Sequence, residues 1–488
     1  VAVLSTALGT VLAWITARTD TPGKPVLENL FIVPTFLSPL IGATGWLMLG
    51  ARNSGLINVY FRKWLGTTSY LINISSFGGM VWVMILFFTP VAYLYIVAAL
   101  RSVDATIEEA ARISGARFRQ VLFGITLPAV TPAVLTGAIM VWVLAAEMFS
   151  VPGLLVGPTG IQPLAYKIYL AGRTYPPNHP LAAAAGIVLV LIAVLMLFAY
   201  RQITKIEGRY VTMGNKGAKP RVTRLGSWRW ATFAFAWLYL TVAVILPYIA
   251  MTIGSFQGYL GAPLTAKSFT LSRWKYVLGA DVAAALKNSI IVGILSGAVV
   301  VAMGAILAYI LVRRKVKRSG VLDYVLSASI GIPGIAFGIG MIWAYVRTPM
   351  YGTVLILFLA FVTRYLPNGL RAASTGLLQI SKDLEEGAAL AGASAGRVLW
   401  DITVPMLKPV LFAAWALTTI TVLRELSVSA ILYTPQSRVI SVLAWDYLET
   451  GQYGYACAVG LIQTALVIAI LALARILFKI RLTGEQPD

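Results

Sequence analysis

Two pairs of glutamates carry most of the chemistry this sequence can offer. Glu147, in AAEMFSVPGLL, and Glu425, in LRELSVSAIL, interrupt apolar runs and follow Glu109 and Glu386 by 38 and 39 residues. An ionised carboxylate at membrane depth is costly unless it faces a cavity or a partner. Glu147 and Glu425 are therefore candidate lining residues of a translocation pathway, where they would offset the charge of a passing cation. The plainer alternative is a structural bond between helices, with Arg364 available to Glu425. Glu109 and Glu386 lie instead in polar inserts near a predicted helix start, where negative charge favours the helix dipole. One cysteine, Cys457, and one histidine, His179, exclude a disulfide and a Cys/His metal cluster. A phosphate-binding loop needs Gly-x4-Gly-Lys-Ser/Thr after a strand. The run GAPLTAKS from Gly261 to Ser268 has Ala266 for the second glycine, contains Pro263 and follows no predicted strand, so nucleotide hydrolysis is not expected of this chain.

The two polar inserts are copies. Residues 107–128 read IEEAARISGARFRQVLFGITLP and residues 384–405 read LEEGAALAGASAGRVLWDITVP. Glu109/Glu386, Ala111/Ala388, Gly115/Gly392, Ile125/Ile402 and Pro128/Pro405 are each 277 apart (386 − 109). Each copy predicts a short helix, a reversal at the glycine, and a second short helix stopped before the proline. The small residues Ala110, Ala111, Gly387 and Ala388 permit close approach by another protein. An amphipathic helix pair resting on lipid is the bland alternative, but it requires neither fixed Gly and Pro spacing nor a repeat.

The pattern Glu-Ala-Ala, three residues, Gly, nine residues, Ile-x-Leu-Pro resembles the cytoplasmic coupling loop of permease subunits from bacterial binding-protein-dependent ABC importers. The first copy fits at Glu109, Ala110, Ala111, Gly115, Ile125, Leu127 and Pro128, and the second departs only at Gly387 and Val404. Two copies in one chain resemble the fused permeases in which one polypeptide supplies both type-I halves of the pore. The resemblance implies that each loop docks in one of two copies of an ABC ATPase subunit, which binds ATP and Mg, so that no cofactor belongs to this chain. It also implies an extracytoplasmic substrate-binding protein as partner and the bacterial inner membrane as location. LAWITARTDTPGK, VPGLLVGPTGI with PLAYKIY, and LRELSVSAILYTP resemble the ferric-iron branch, although thiamine, phosphonate and polyamine importers share much of this. A secondary transporter, the rival from another class, would also show repeats and broken helices but needs no polar coupling loop.

The elements that must position these residues follow from composition. With 59% hydrophobic and 12% charged residues and a mean hydropathy of +0.82, the chain is an all-α polytopic membrane protein in a lipid bilayer. Its net charge of +21 is not gathered on one face, which argues against nucleic acid. Eleven candidate transmembrane spans cover about residues 1–16, 30–49, 79–100, 129–150, 181–200, 230–255, 287–312, 324–346, 353–370, 409–430 and 455–474. They divide into a first permease repeat at 1–200, a cytoplasmic basic linker at 201–229 carrying Lys205, Arg209, Lys216, Lys219, Arg221 and Arg224, and a second repeat at 230–488. Leu12-Ala13-Trp14 matches Leu307-Ala308-Tyr309 at an offset of 295, so the first half is expected to lack its first helix. The fall from 295 to 277 places an insert of 18 residues (295 − 277) in the first half, at 51–77. With both coupling loops inside, most of the 39 Lys and Arg residues fall on the cytoplasmic side.

Overall fold

The structure, a computed structural model, describes residues 1–103, 105–210, 222–262, 265, 268–313, 326 and 328–478. Among them there is no strand, only two isolated bridges. Linker positions Lys216, Lys219 and Arg221, the basic run 314–318 and the tail 479–488 lie outside the described residues.

Eight described helices are long and apolar enough to cross a membrane: Phe77–Ser102, Arg119–Glu147, His179–Ala199, Trp228–Phe256, Ala280–Arg313, Val354–Gln379, Gly396–Leu423 and Tyr453–Ile476. Each overlaps an expected span. The expected span 1–16 is the shorter helix Ala2–Arg18. The expected span 30–49 is broken, because the helices Lys24–Phe36 and Pro39–Gly50 meet at 96°. Pro39 explains the break: it forces Ser38 before it into extended backbone, φ −74° and ψ 125°, where a helix cannot continue. Among the described residues of the expected span 324–346, Gly334–Tyr345 is the membrane-type helix. Its 12 residues rise about 18 Å, short of the roughly 30 Å of hydrocarbon.

The prolines of the repeated inserts do not stop a helix, contrary to expectation. Leu122–Thr126 and Leu399–Thr403 form single wide turns in which the backbone N–H of Leu127 reaches the carbonyl of Leu122, and that of Val404 the carbonyl of Leu399. Pro128 and Pro405 follow in the first turn of Leu127–Glu147 and Val404–Leu423. Widening the turn by one residue accommodates a proline that lacks an N–H.

The chain divides into two packing units, one of residues 1–170 and 187–271, the other of 171–186 and 272–488. The first unit is built on Phe77–Ser102, whose apolar residues are mostly buried. Phe31 packs edge-on to Tyr93 at 5.4 Å and to Tyr239 at 5.8 Å, and the Tyr239 hydroxyl donates to the Leu86 carbonyl at 3.0 Å. Tyr239 follows the linker in sequence, so the span Trp228–Phe256 is part of the first unit, and Gly45 leaves room for the Pro247 carbonyl. The packing units are therefore not the sequence repeats 1–200 and 230–488. The insert 51–77 is held by the buried Asn58, whose amide donates to the carbonyls of Ala51 and Ile72 and accepts from the N–H groups of Leu71 and Ile72.

In the second unit, Ala280–Arg313, Val354–Gln379 and Val404–Leu423 pack together. Ala308, Leu370, Ala373, Leu377, Ile380 and Leu407 form a buried cluster there. The two sequence offsets survive in three dimensions. Gly9 faces Ala92 in the first unit and Gly304 faces Gly369 in the second, positions 295 and 277 apart respectively.

Candidate functional site

The two polar inserts fold alike. Ala105–Ile113 and Lys382–Leu390 are short helices, and Gly115 and Gly392 follow with φ of +88° and +90°. The N–H of Ala116 reaches back to the Ala111 carbonyl, and that of Ala393 to Ala388, each at 3.0 Å. This six-residue closure after a left-handed residue is the glycine-terminated helix end expected from sequence. A Cβ on either glycine would meet nothing within 4 Å, so glycine is favoured here by its backbone conformation alone. Phe118–Val121 and Ala395–Val398 then lead into the wide turns described above.

The structure places the predicted loop residues in matched environments. Glu109, Ala110, Gly115 and Pro128 are exposed, as are Glu386, Gly387, Gly392 and Pro405, while Ala111, Ile125, Ala388 and Ile402 are half-buried. A Cβ at Gly387 would meet no neighbour, so its difference from Ala110 is sterically neutral. Large apolar side chains that the motif does not mark stand out beside them. Ile113 is 88% and Leu390 90% exposed, and Phe123 is 66% and Trp400 69% exposed. These pairs are also 277 apart, a signal that was present in the aligned inserts.

Glu108 and Glu385, one position before the motif glutamates, turn inward. Glu108 pairs with Arg18 at 3.4 Å and accepts from the Thr126 hydroxyl at 2.8 Å. Glu385 pairs with Arg313 at 3.1 Å and accepts from the Thr403 hydroxyl at 3.1 Å.

The two acids of the apolar runs differ in surroundings. Glu147 is half-buried as the last residue of its helix. Glu425 is 8% exposed, and its carboxylate accepts from the backbone N–H groups of Val428 and Ser429 and from the Ser429 hydroxyl. Arg364 acts electrostatically on Glu425 and donates to the Ile332 carbonyl at 2.7 Å. The small-residue pair Gly334 and Gly338 packs against Ser427 and Ile431 of the same region. Among the described residues no cluster of His, Cys, Asp or Glu is arranged to hold a metal ion. Gly261 of the phosphate-loop-like run packs on Ser54, and positions 263, 264, 266 and 267 lie outside the described residues.

A family described as binding-protein-dependent transport system inner membrane component matches residues 5–207 and again 300–480. The chain belongs to this family. It is a multi-pass permease component of an ABC importer, with the family domain present twice. The ferric transport system permease protein FbpB of Actinobacillus pleuropneumoniae is 27% identical over 478 residues, 96% of this chain and 68% of that protein. The molybdenum transport system permease protein ModB of Escherichia coli K12 is 28% identical over 206 residues, 42% of this chain and 87% of ModB. Among solved structures, a bacterial ABC transporter involved in the import of the acidic polysaccharide alginate is similar, at 16% identity and a TM-score of 0.42, over 52% of this chain and 96% of that one.

Proposed function

We propose that this permease forms the pore of an ATP-driven importer whose two inserts each dock in a separate ATPase subunit, and that its substrate is ferric iron delivered by an extracytoplasmic binding protein. One observation carries the docking: Ile113 with Phe123 and Leu390 with Trp400 expose matched apolar side chains on two loops of the same turn geometry. Exposed apolar groups at repeated positions suit a partner cleft, and a chain with one such knob per half suits a dimeric motor. ATP and Mg would be bound by the ATPase subunits. Closure of the ATPase dimer would move the loops and switch the pore between inward-facing and outward-facing states.

The ferric-iron reading rests on the FbpB relative, similar over nearly the whole chain, whereas ModB is similar over less than half of it. Glu147 is the acid kept for the pathway; Glu425 is assigned a structural role as cap of the turn that follows it, since local donors already occupy its carboxylate. The experiment is uptake into proteoliposomes holding the chain, its ATPase and its binding protein. ATP-dependent accumulation of labelled ferric iron, with none of molybdate, supports the reading; molybdate uptake without iron uptake would overturn the substrate, and uptake without ATP would overturn the class.

A further inference from the structure

The inward-turned member of each Glu-Glu pair joins four pieces of chain. In the first unit, Arg18 ends the helix Ala2–Arg18 and donates one guanidinium nitrogen to Glu108 Oε2 at 3.4 Å and another to the Val103 carbonyl at 3.4 Å. Val103 directly follows the helix Phe77–Ser102. Glu108 belongs to the insert's first helix, and Thr126, which donates to its other oxygen, lies in the wide turn opening the next long helix. In the second unit, Arg313 ends Ala280–Arg313 and donates to Glu385 Oε1 at 3.1 Å, to the Leu377 carbonyl at 3.1 Å and to the Ile380 carbonyl at 2.9 Å. Thr403 donates to the same carboxylate oxygen at 3.1 Å.

The arginines are 295 apart (313 − 18), and the glutamates, the threonines and the Val103/Ile380 pair are 277 apart, the two offsets that relate the repeats. The side chains of the arginines are 3% and 6% exposed and those of the glutamates 9% and 14%. A charge so enclosed is held by its partners, since the loss of one leaves the other without solvent or counter-charge. Glu109 and Glu386 are exposed and lie on the part of the loop offered to a partner.

We infer that Arg18–Glu108–Thr126 and Arg313–Glu385–Thr403 are two copies of a latch that passes displacement of the insert to three membrane helices at once. The inference rests on the ATPase docking proposed above. The latch divides the labour of the consecutive glutamates: the second faces the partner, and the first pulls on the pore. Arg18, Glu108, Arg313 and Glu385 are thus positioning residues for transport, acting through the helices they tie.

The test is the number of substrate molecules imported per ATP hydrolysed, measured in proteoliposomes with the ATPase and binding protein. A variant carrying Arg18→Met, Glu108→Gln, Arg313→Met and Glu385→Gln removes both charges of each pair and so leaves no buried lone charge. It is expected to capture the ATPase and keep ATP hydrolysis, while import per ATP falls about tenfold, within the usual range of coupling between sites. A milder variant, Thr126→Val with Thr403→Val, keeps shape and charge and is expected to lower the same ratio about threefold. If the first variant does not assemble, the second decides. An unchanged import-to-hydrolysis ratio in an assembled variant overturns the latch. Import by the unaltered chain with no ATPase bound would instead overturn the docking on which it rests.

Discussion

Gly304 and Gly9 occupy corresponding places in the two units, yet their replacement by alanine should have unequal weight. A Cβ at Gly304 would lie 2.4 Å from the Gly369 carbonyl carbon and 2.6 Å from the Leu370 nitrogen. Ordinary Cβ contacts begin near 3.4 Å, so Ala280–Arg313 and Val354–Gln379 must separate by about 1 Å (3.4 − 2.4), and backbone atoms cannot rotate aside. Overpacking of this kind costs about 3 kcal/mol at the upper end of its range, and alanine's better helix propensity returns about 1 kcal/mol. The net loss is about 2 kcal/mol, or about 30-fold in the folded ratio, and about 4–8 °C in Tm for a unit of this size. At Gly9 the corresponding contacts, Ala92 Cβ and the Tyr93 nitrogen, lie at 3.0 Å, a shortfall of about 0.4 Å. There the cost and the propensity gain nearly cancel, and Gly9→Ala is expected to stay within about 0.5 kcal/mol of the unaltered chain. The assay is thermal unfolding in one detergent, followed by ellipticity. Labelling of Cys457, buried in the second unit, adds a local report for the Gly304 variant. A Gly304→Ala protein as stable as the unaltered one, or a Gly9→Ala protein that is the weaker of the two, would show that the closer backbone approach at Gly304 does not set the cost.

Three further outcomes are expected. Glu108→Gln leaves Arg18 buried without its counter-charge and should cost about 3–5 kcal/mol, whereas Glu109→Gln, on an exposed side chain, should cost within about 1 kcal/mol; thermal unfolding of the two variants separates them. Gly115→Ala and Gly392→Ala meet no steric obstacle but pay for left-handed backbone, about 1–2 kcal/mol each, read as equal losses of hydrogen-exchange protection in the two inserts. Ile113→Asp with Leu390→Asp should leave Tm unchanged, because both side chains are almost fully exposed, yet abolish capture of the ATPase in a pull-down.

The membrane class, eight of the eleven spans and the repeat were legible because apolar runs of about 20 residues and a constant offset leave few alternatives. The sequence did not say which of two consecutive glutamates turns inward. Glu108 and Glu109 both lie in the first short helix, and the positions of Arg18 at a neighbouring helix end and of Thr126 separate them. The arginine match at 295 was the available clue. Pro128 and Pro405 read as helix stops because the default for proline is to break a helix, and a single wide turn that tolerates it has no composition of its own. Homology between repeats likewise does not say where a helix packs: Trp228–Phe256 opens the second repeat in sequence but joins the first unit through Tyr239 and Pro247. Glu425 is legible in sequence as an acid in an apolar run, but the turn it caps depends on the backbone placement of Val428 and Ser429.

If the two inserts each hold a separate motor, the purified chain retains ATPase in a fixed ratio that depends on both. Two ATPase subunits per chain are predicted, falling to one when Ile113 and Phe123 are changed to Asp or when Leu390 and Trp400 are, and to none when all four are. Undiminished retention with all four residues changed, or none by the unaltered chain, would contradict it.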